Sequence, residues 1–175
     1  AGVLVKSAEA LQGFEQVDTL LIDKTGTLTE GKPKLVGIEM VGELAQDDLL
    51  RFVASVEARS EHPLAHAIVT AAKERNLSLS EPDGFEVQVG AGISAKVGGH
   101  VVVVGNAAQM QRIGVDAQPL FEASEAKRRE GAGIMLVAVD GTLAGFIAVA
   151  DPIRANAGPG FDRLLSAKRP HWLPA

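Results

Sequence analysis

Residues 20–31, Leu20-Leu21-Ile22-Asp23-Lys24-Thr25-Gly26-Thr27-Leu28-Thr29-Glu30-Gly31, decide the fold of the chain around them. They begin as an apolar run that ends abruptly in Asp23, and a turn rich in threonine and glycine follows. This pattern predicts a buried strand that carries the Asp23 carboxylate to the edge of an α/β sheet, where such sheets bind ligands. Gly26 would let the backbone approach an anion closely, and three hydroxyls and one ammonium would surround the carboxylate: Thr25, Thr27, Thr29 and Lys24. The stretch therefore indicates a phosphate-handling site around a candidate nucleophile.

Composition places the 175-residue chain among folded globular proteins. Its apolar fraction of 46% can supply the cores of one or two small domains. The net charge of -5 and the lack of a basic cluster argue against a nucleic-acid surface. Because the sequence has no cysteine, disulfides and thiolate metal ligands are excluded. No apolar run approaches the ~18 residues that cross a bilayer, and the N-terminus lacks the pattern of a secretion signal, so we expect a soluble polypeptide.

Apolar spacing divides the rest of the chain into helices and strands. Spacings of three and four predict helices, while alternation bounded by glycine predicts strands. The predicted helices cover residues 7–16, 47–57, 63–76, 107–112 and 119–130. The predicted strands cover residues 17–22, 35–41, 85–89, 93–97, 101–104, 134–139 and 142–149, and Asp140-Gly141 predicts a tight hairpin between the last two. The sequence thus predicts an antiparallel sheet of turn-linked strands with helices packed against it.

The stretch from Asp23 to Thr29, Asp-Lys-Thr-Gly-Thr-Leu-Thr, resembles the signature of the P-type ATPases, in which ATP phosphorylates the aspartate during ion pumping. Local side-chain to backbone bonds would explain a turn here, but not all seven residue identities. The resemblance implies that Asp23 attacks the γ-phosphate of Mg-ATP and that Lys24 and Thr27 orient or neutralise the phosphoryl group. It also implies that Asp23 and the Thr25 carbonyl contact Mg²⁺. Ordinary aspartyl phosphatases of the same superfamily carry a second acid where this chain has Thr25, so the phosphoenzyme should persist.

A second motif, Ser60-Glu61-His62-Pro63, resembles the one that distinguishes the heavy-metal-transporting branch of the P-type ATPases, the P1B branch. Three further fragments agree with that branch in order and type: Glu57, Gly90-Ala91-Gly92-Ile93 and Gly105-Asn106. The resemblance implies that these segments hold the adenine and the flanking phosphates of ATP. The implied nucleotide-binding residues are Glu57, His62, Gly90, Gly92, Ile93, Gly105 and Asn106.

The residue types in these fragments suit an adenine site without the resemblance. His62 can stack on or hydrogen-bond to the base, and Glu57 can accept from its exocyclic amine. Gly90 and Gly92 leave room for the ring and the sugar, and Asn106 can orient a phosphate or ribose oxygen. Each fragment alone also has a plain structural explanation, as a capping histidine, a solvated glutamate or a pair of hairpin glycines.

Two other nucleotide motifs are excluded. Residues 90–95, Gly-Ala-Gly-Ile-Ser-Ala, match the G-x-G-x-x-G/A dinucleotide fingerprint, but the alternating residues after them predict a strand where that motif requires a helix. The sequence also has no G-x-x-x-x-G-K-[ST] motif, so it has no P-loop.

The resemblance implies a piece of a membrane pump, at the cytoplasmic face. In that family a nucleotide-binding domain is inserted into a phosphorylation domain, and Asp151-Pro152-Ile153-Arg154 resembles the point of return. We therefore expect residues 32–149 to form the nucleotide-binding domain, and residues 1–31 and 150–175 to form an incomplete HAD-like Rossmannoid phosphorylation domain. The expected fold class is α/β (α+β), with an antiparallel sheet flanked by helices in the inserted domain. Residues 2–11 resemble the stretch that leaves the membrane, so we expect the chain to begin just past a membrane helix.

The C-terminal tail departs from the family pattern. The family continues with a helix, a Thr-Gly-Asp motif and a Gly-Asp-Gly-x-Asn-Asp motif whose aspartates bind magnesium, and neither motif occurs here. Residues 155–175 do not resemble the expected helix, although residues 161–167 have helical spacing. We expect a truncation or a change of reading frame after about Asn156. We therefore expect weak ATP binding by residues 32–149 and little or no autophosphorylation.

The leading hypothesis is the ATP-binding and phosphorylation region of a heavy-metal P-type ATPase. ATP and Mg²⁺ are its expected cofactors, and its expected partners are the remainder of the pump and the ion that the membrane domain carries. Likeness of residues 104–106 and 132–154 to copper pumps favours copper(I), while zinc, cadmium and silver stay open. The alternatives are a soluble HAD-superfamily phosphatase with a cap domain and a non-catalytic nucleotide-binding module. Nucleic acid is not an expected partner.

Overall fold

The computed structural model describes residues 7–15, 17, 19–60, 62–166 and 171–174. The chain divides into two compact units. The larger unit is Lys32–Asp151, and the smaller unit combines Ala1–Gly31 with Pro152–Ala175. Glu61, the start of the predicted membrane-exit stretch at residues 2–6, and the predicted element ends at residues 16 and 167 lie outside the described residues.

The larger unit is built on a six-stranded antiparallel sheet. Its strands are β2 (Lys34–Met40), β3 (Asp83–Gln88), β4 (Gly92–Val97), β5 (His100–Gly105), β6 (Gly133–Val139) and β7 (Thr142–Ala150). They lie in the order β2-β7-β6-β5-β4-β3 across the sheet. Its helices are α2 (Gln46–Glu57), α3 (Pro63–Glu74), α4 (Ala107–Arg112) and α5 (Phe121–Arg129), with a short 3₁₀ turn at Gln118–Leu120 before α5. The predicted antiparallel sheet flanked by helices is confirmed.

Each face of this sheet carries its own apolar core, because successive strand residues point to opposite faces. Val102 and Val104 of β5 pack with the buried stripe of α2 and α3, which includes Leu50 and Ile68. The intervening Val103 packs on the other face, in a cluster with the α4 residue Met110. Two-sided burial of the central strands explains their nearly continuous runs of apolar residues.

Residues with a left-handed backbone conformation form tight turns in the larger unit. Asp140 and Gly141, with φ angles of 49° and 76°, form the two-residue connection between β6 and β7. Both central residues of such a hairpin need positive φ, which aspartate and glycine tolerate better than most residues. Asn76, with φ of 57°, follows the end of α3. The predicted hairpin is confirmed.

The first and last residues of the larger unit lie side by side. The Lys32 backbone N–H donates to Asp151 Oδ1 at 3.0 Å. This bond joins residues 119 positions apart in the sequence. The chain therefore enters and leaves the larger unit at one place.

The smaller unit contains α1 (Ala8–Glu15), β1 (Thr19–Ile22), α6 (Ala157–Ser166) and β8 (His171–Pro174). Strand β1 pairs in parallel with β8, from Thr19 opposite His171 to Ile22 opposite Pro174. The prediction of a buried strand is wrong here, because the described sheet has two strands and Leu21 is 67% exposed. An isolated bridge between Thr29 and Ile153 joins the two segments of this unit.

The described part of the tail is more regular than the sequence indicates. Helix α6 begins at Ala157, four residues before the predicted start at residue 161, and includes Gly158-Pro159-Gly160. Proline is tolerated there because the first turn of a helix has N–H groups without intrahelical partners. Strand β8 was not predicted. No helix among the described residues combines the length and the apolarity that a bilayer crossing requires.

Candidate functional site

Asp23 lies at the carboxyl end of β1, with extended backbone and an exposed side chain. The turn Lys24–Leu28 follows it directly, and we call this segment the Asp23 turn. Thr25 and Gly26 interrupt its helical geometry, with φ and ψ of -78° and 120° at Thr25 and 78° and -14° at Gly26. Glycine suits the second position because other L-residues are strained at positive φ. The predicted nucleophile is thus open to solvent at the head of a sharp turn.

Thr29 braces the Asp23 turn from inside. Its side chain is 1% exposed. The hydroxyl accepts from the Gly26 N–H at 3.0 Å and donates to the Lys24 carbonyl at 3.2 Å, and the Thr29 N–H also donates to that carbonyl, at 3.1 Å. The Thr29 hydroxyl therefore holds the backbone of the turn, while its predicted place around the Asp23 carboxylate stays a prediction.

A shallow cavity of about 580 Å³ opens beside the carboxylate. Asp23 and Thr27 line it together with residues of β1, the turn and α6. The other lining residues are Leu21, Ile22, Leu28, Asn156, Ala157, Gly160 and Phe161. The predicted site residues Lys24 and Thr25 are exposed in the same turn. A small polar ligand can therefore reach the carboxylate from solvent.

In the larger unit the structure brings Gly90, Gly92, Gly105 and Asn106 together. Gly92 pairs with Gly105 across β4 and β5. The Asn106 Nδ2 donates to the Gly90 carbonyl at 2.9 Å, and the Asn106 N–H donates to the Ala91 carbonyl at 2.8 Å. Asn106 Oδ1 accepts from the Gln109 N–H at 3.1 Å and so caps α4. We call these residues the glycine cluster.

Two glycines of the cluster have a packing reason as well as a proposed binding reason. A Cβ added at Gly92 would lie 2.2 Å from the Val104 carbonyl oxygen, and one added at Gly105 would lie 2.5 Å from the Ala91 carbonyl oxygen. Gly90 meets no such obstacle, but its φ of 72° favours glycine. Strand β4 begins at Gly92, which confirms the exclusion of the dinucleotide fingerprint.

The predicted site residue Ile93 lies directly after Gly92 and pairs with Val104. Its partly buried side chain packs against the core cluster that includes α2 and α3. This placement gives Ile93 a structural role whether or not a ligand is bound.

Glu57 and His62 form a second cluster, at the junction of α2 and α3. Glu57 ends α2 with 8% of its surface exposed. Burial raises the pKa of Glu57 above its ordinary 4.5, and the hydrogen bond with the Ser60 side chain and the electrostatic interaction with His62 oppose that rise. His62 is exposed and caps α3, since its Nδ1 accepts from the Leu64 N–H at 3.2 Å. The proton of the neutral ring therefore lies on Nε2, which can act as a donor.

Comparison with known proteins identifies the family of this chain. The family model for haloacid dehalogenase-like hydrolases matches residues 17–172. The chain belongs to the haloacid dehalogenase-like hydrolase family. The match begins just before β1 and so includes Asp23 and its turn.

The relatives of this chain include copper-transporting and copper-exporting P-type ATPases. The chain is 47% identical over 163 residues to a copper-transporting P-type ATPase of Rhizobium leguminosarum bv. viciae, covering 93% of this chain and 19% of the relative. It is 49% identical over 156 residues to a copper-exporting P-type ATPase of Legionella pneumophila, covering 89% and 21%. A crystal structure of a zinc-transporting PIB-type ATPase in the E2.Pi state matches 98% of this chain and 27% of that chain, with a TM-score of 0.81 and 30% identity.

These findings confirm the resemblance to heavy-metal P-type ATPases that the two sequence motifs predict. They also favour that hypothesis over a soluble phosphatase with a cap domain. The chain spans about a fifth of the length of the curated relatives it matches, 19% and 21%.

Sequence reasoning gave no site role to three polar residues, although two of them, Ser60 and Arg154, stand in the motifs it used. Ser60 hydrogen-bonds to Glu57, Gln109 lies fully buried under Gly105, and Arg154 reaches back to the Asp23 turn. The spacing of Asn106 and Gln109 is that of a capping residue and its N3 partner, and this signal could have found Gln109. No local signal identifies Arg154, because its contacts lie more than a hundred residues away.

Proposed function

We propose that this chain is the ATP-binding and phosphorylation region of a heavy-metal P-type ATPase, with Asp23 as the residue that ATP phosphorylates. The observation that carries the proposal is the placement of Asp23, exposed at the end of β1 and lining a cavity at the head of a braced turn. A carboxylate that is accessible and held by a defined backbone can act as a nucleophile toward phosphorus.

In the proposed reaction an Asp23 oxygen attacks the γ-phosphorus of ATP. A new bond forms between that oxygen and phosphorus, and the bond from the γ-phosphorus to the β,γ-bridging oxygen breaks. The bridging oxygen keeps the electron pair, so the products are an aspartyl phosphate and ADP. Lys24 and Thr27 would orient and neutralise the transferred group, since positioning and charge stabilisation supply most of the catalysis.

Thr25 supports a long-lived phosphoenzyme. It occupies the position two residues after the nucleophile, where aspartyl phosphatases carry an acid. A threonine cannot supply general acid–base catalysis at neutral pH, so hydrolysis of the acyl phosphate lacks that help. Slow hydrolysis suits a pump, which must change conformation before it releases phosphate.

The Asp23 turn also fits a magnesium ion. Mg²⁺ is usually held by one or two carboxylates together with substrate phosphates and water, and the exposed Asp23 carboxylate and the Thr25 carbonyl supply such oxygen donors. Within the described residues no group of three or more histidine, aspartate or glutamate side chains forms a metal site. When bound, the ion would neutralise charge on the phosphate oxygens.

The larger unit would bind the nucleotide, as a domain inserted between the two segments of the phosphorylation domain. His62 would stack on adenine or donate from Nε2, and the Glu57 carboxylate would accept from the exocyclic amine. Gly90, Gly92 and Gly105 let backbone approach the ligand, Ile93 supports them from the core, and Asn106 would orient a ribose or phosphate oxygen. A raised Glu57 pKa accords with a carboxyl group held out of water for a functional purpose.

Transport is proposed for the longer protein of which this chain would be a part. Two relatives carry names of copper pumps, so copper(I) is the proposed ion, and the proposed location is the cytoplasmic face of a membrane. The partner of this chain would be the membrane domain of the same pump. Alone, the chain should bind ATP weakly and phosphorylate slowly.

Two experiments test the proposal. Because the chain alone should phosphorylate slowly, long incubation with [γ-³²P]ATP and Mg²⁺ should give a low level of acid-stable, hydroxylamine-sensitive label on the wild type and none on Asp23→Asn. Calorimetric titration with ATP should give weaker binding to His62→Ala than to the control His66→Ala, an exposed histidine of α3. Label on Asp23→Asn, or equal ATP affinity of the two histidine variants, would contradict the assignment. Rapid hydrolysis of simple phosphate esters would instead support a phosphatase.

A further inference from the structure

Arg154 donates hydrogen bonds to backbone carbonyl groups in and beside the Asp23 turn. Its Nε donates to the Thr29 carbonyl at 2.8 Å and its Nη2 donates to the Gly26 carbonyl at 3.0 Å. Its backbone N–H donates to the Leu28 carbonyl at 2.8 Å. Arg154 therefore donates to three backbone carbonyls, two in the Asp23 turn and one at Thr29. The Thr29 hydroxyl donates to a further carbonyl of the turn, that of Lys24.

The guanidinium suits this task because it is a rigid planar fork. Its N–H groups point in fixed directions. Two carbonyls that accept from two of these groups are therefore held in a fixed relative orientation. Arg154 is exposed, so this side chain does not act by filling a core. Its identified bonds go to the backbone carbonyls of the Asp23 turn and of Thr29.

Fixing the Gly26 carbonyl also fixes the next amide. A trans peptide unit is planar and its C=O and N–H point in opposite directions, so a Gly26 carbonyl aimed at Arg154 aims the Thr27 N–H away from it. Thr27 and Asp23 line the same cavity. Backbone N–H groups in such a turn are the kind of donor that stabilises a phosphoryl group in transfer, so the orientation of the Gly26–Thr27 peptide bears on the chemistry at Asp23.

We propose that Arg154 is a positioning residue for phosphoryl transfer, which orients the Gly26–Thr27 peptide and thereby the donors around Asp23. This inference rests on the proposed function, and it adds a residue from the returning segment to the machinery of the Asp23 turn. Arg154 need not touch ATP or the phosphoryl group. Its effect passes through the backbone of the turn.

The test compares Arg154→Gln and Arg154→Lys with the matched control Arg163→Gln, another exposed arginine of the same unit, in α6. The first readout is NMR of the 175-residue chain without nucleotide. The Gly26 and Thr27 amide resonances should move in both Arg154 variants and stay in place in the control. Amides of the larger unit, such as that of Asn106, should not move in any variant.

The second readout is the rate of labelling by [γ-³²P]ATP with Mg²⁺, together with the ATP affinity from calorimetry. Arg154→Gln should slow labelling about tenfold or more, since small errors of position cost one to two orders of magnitude in rate. ATP affinity should stay within about twofold, because the change is not in the nucleotide-binding unit. Arg154→Lys should recover part of the rate, since an ammonium group can donate to one of the two carbonyls but lacks the planar geometry that orients both.

The outcomes separate this inference from the proposed function. Unchanged Gly26 and Thr27 resonances in Arg154→Gln would overturn the positioning role, and so would an unchanged labelling rate. A wild type that takes no label, with the expected resonance shifts, would contradict the proposed phosphorylation and leave Arg154 as an organiser of the turn. If Arg154→Gln unfolds the smaller unit, the amide resonances of β1 will lose their chemical-shift dispersion. The resonances and labelling rate of Arg154→Lys then decide whether Arg154 positions the turn.

Discussion

Asn106 holds Gly90 by a side-chain hydrogen bond of 2.9 Å, from Nδ2 to the carbonyl oxygen, across sixteen residues of sequence. The same side chain caps α4 through its Oδ1. One asparagine therefore ties the turn between β3 and β4 to the start of a helix. Both amide ends are used, so the orientation of the side chain is set by its two partners.

Replacing Asn106 separates these two contacts. Asn106→Ser keeps an N-cap acceptor but cannot reach Gly90, so we expect nearly wild-type stability with ATP affinity reduced several-fold. Asn106→Ala removes both contacts and should also destabilise the protein by about 1 kcal/mol, the usual effect of losing a cap. Urea unfolding and calorimetric ATP titration measure the two effects. Equal ATP affinity of Asn106→Ser and the wild type would remove Asn106 from the binding site.

Gly92→Ala should destabilise the larger unit strongly. The new Cβ would lie 2.2 Å from the Val104 carbonyl oxygen, which belongs to the neighbouring strand and cannot swing aside. Forcing strands apart to relieve such overpacking costs about 2 kcal/mol or more. Gly90→Ala is the comparison: it has open space but a φ of 72°, so about 1 kcal/mol is expected. Chemical unfolding that ranks the two variants the other way would contradict this account of β4 and β5.

Glu57→Gln should stabilise the protein at neutral pH and change little in acid. Burial raises the pKa of Glu57 above 4.5, so folding favours the protonated form. The stability linked to that protonation is complete below the unfolded pKa and is lost as the pH rises through the raised folded value. The glutamine side chain does not ionise, so the variant should become more stable than the wild type as the pH rises over this range.

Urea unfolding between about pH 4 and pH 7 measures the difference. Glu86→Gln, an exposed glutamate of β3, is the control and should track the wild type. An equal gain in both variants would show that general charge repulsion, rather than burial of Glu57, governs the pH dependence. ATP affinity should fall in Glu57→Gln alone if the carboxylate accepts from adenine.

Asp140→Asn should lower the melting temperature at neutral pH and have no effect at strongly acidic pH. His100 Nδ1 lies 2.6 Å from Asp140 Oδ2, and the Val101 N–H donates to Oδ1 at 2.8 Å. These bonds lower the pKa of Asp140 from 3.8, so the stability they provide is present above that value and is lost as the pH falls through the lowered pKa. Asparagine tolerates the left-handed turn, so the variant changes mainly the charge.

A pH series of thermal scans on wild type, Asp140→Asn, His100→Gln and the double variant isolates the pair. Additive effects of the two single substitutions would mean that the histidine and the carboxylate do not stabilise each other.

Thr29→Val should destabilise the Asp23 turn, while Thr29→Ser should preserve it. Valine matches the shape of threonine but removes the 3.0 Å bond to the Gly26 N–H and the 3.2 Å bond to the Lys24 carbonyl, and a typical hydrogen bond contributes about 0.5–1.5 kcal/mol. Amide hydrogen exchange of Gly26 should become faster in Thr29→Val. Unchanged exchange would show that the hydroxyl does not brace the turn.

The sequence predicts the larger unit well because its signals are local. The consecutive valines Val101–Val104 predict β5, and Asp140-Gly141 predicts the hairpin because both residues tolerate a positive φ. The grouping of Gly90 with Asn106 is harder to predict, because strand register rather than composition brings them together. The motif resemblance groups these segments without reference to their contacts.

The smaller unit is less predictable because its contacts join the two ends of the chain. The apolar run at β1 indicates a buried strand, yet burial depends on neighbours that lie far away in sequence, and Leu21 is exposed. The Gly158-Pro159-Gly160 segment predicts a break in regular secondary structure, although the first turn of α6 accommodates it. The contacts of Arg154 likewise follow from the return of the chain to Leu28 and Thr29.

The bond between the Lys32 N–H and Asp151 Oδ1 places the two ends of the larger unit at hydrogen-bond distance. A module with adjoining ends can be cut out, or spliced into a surface loop of another protein, without stretching either chain. The same adjacency permits circular permutation, with Asp151 linked to Lys32 and new termini opened at the exposed Gly98-Gly99 turn. An insertion of this kind needs only a single opening in the host protein.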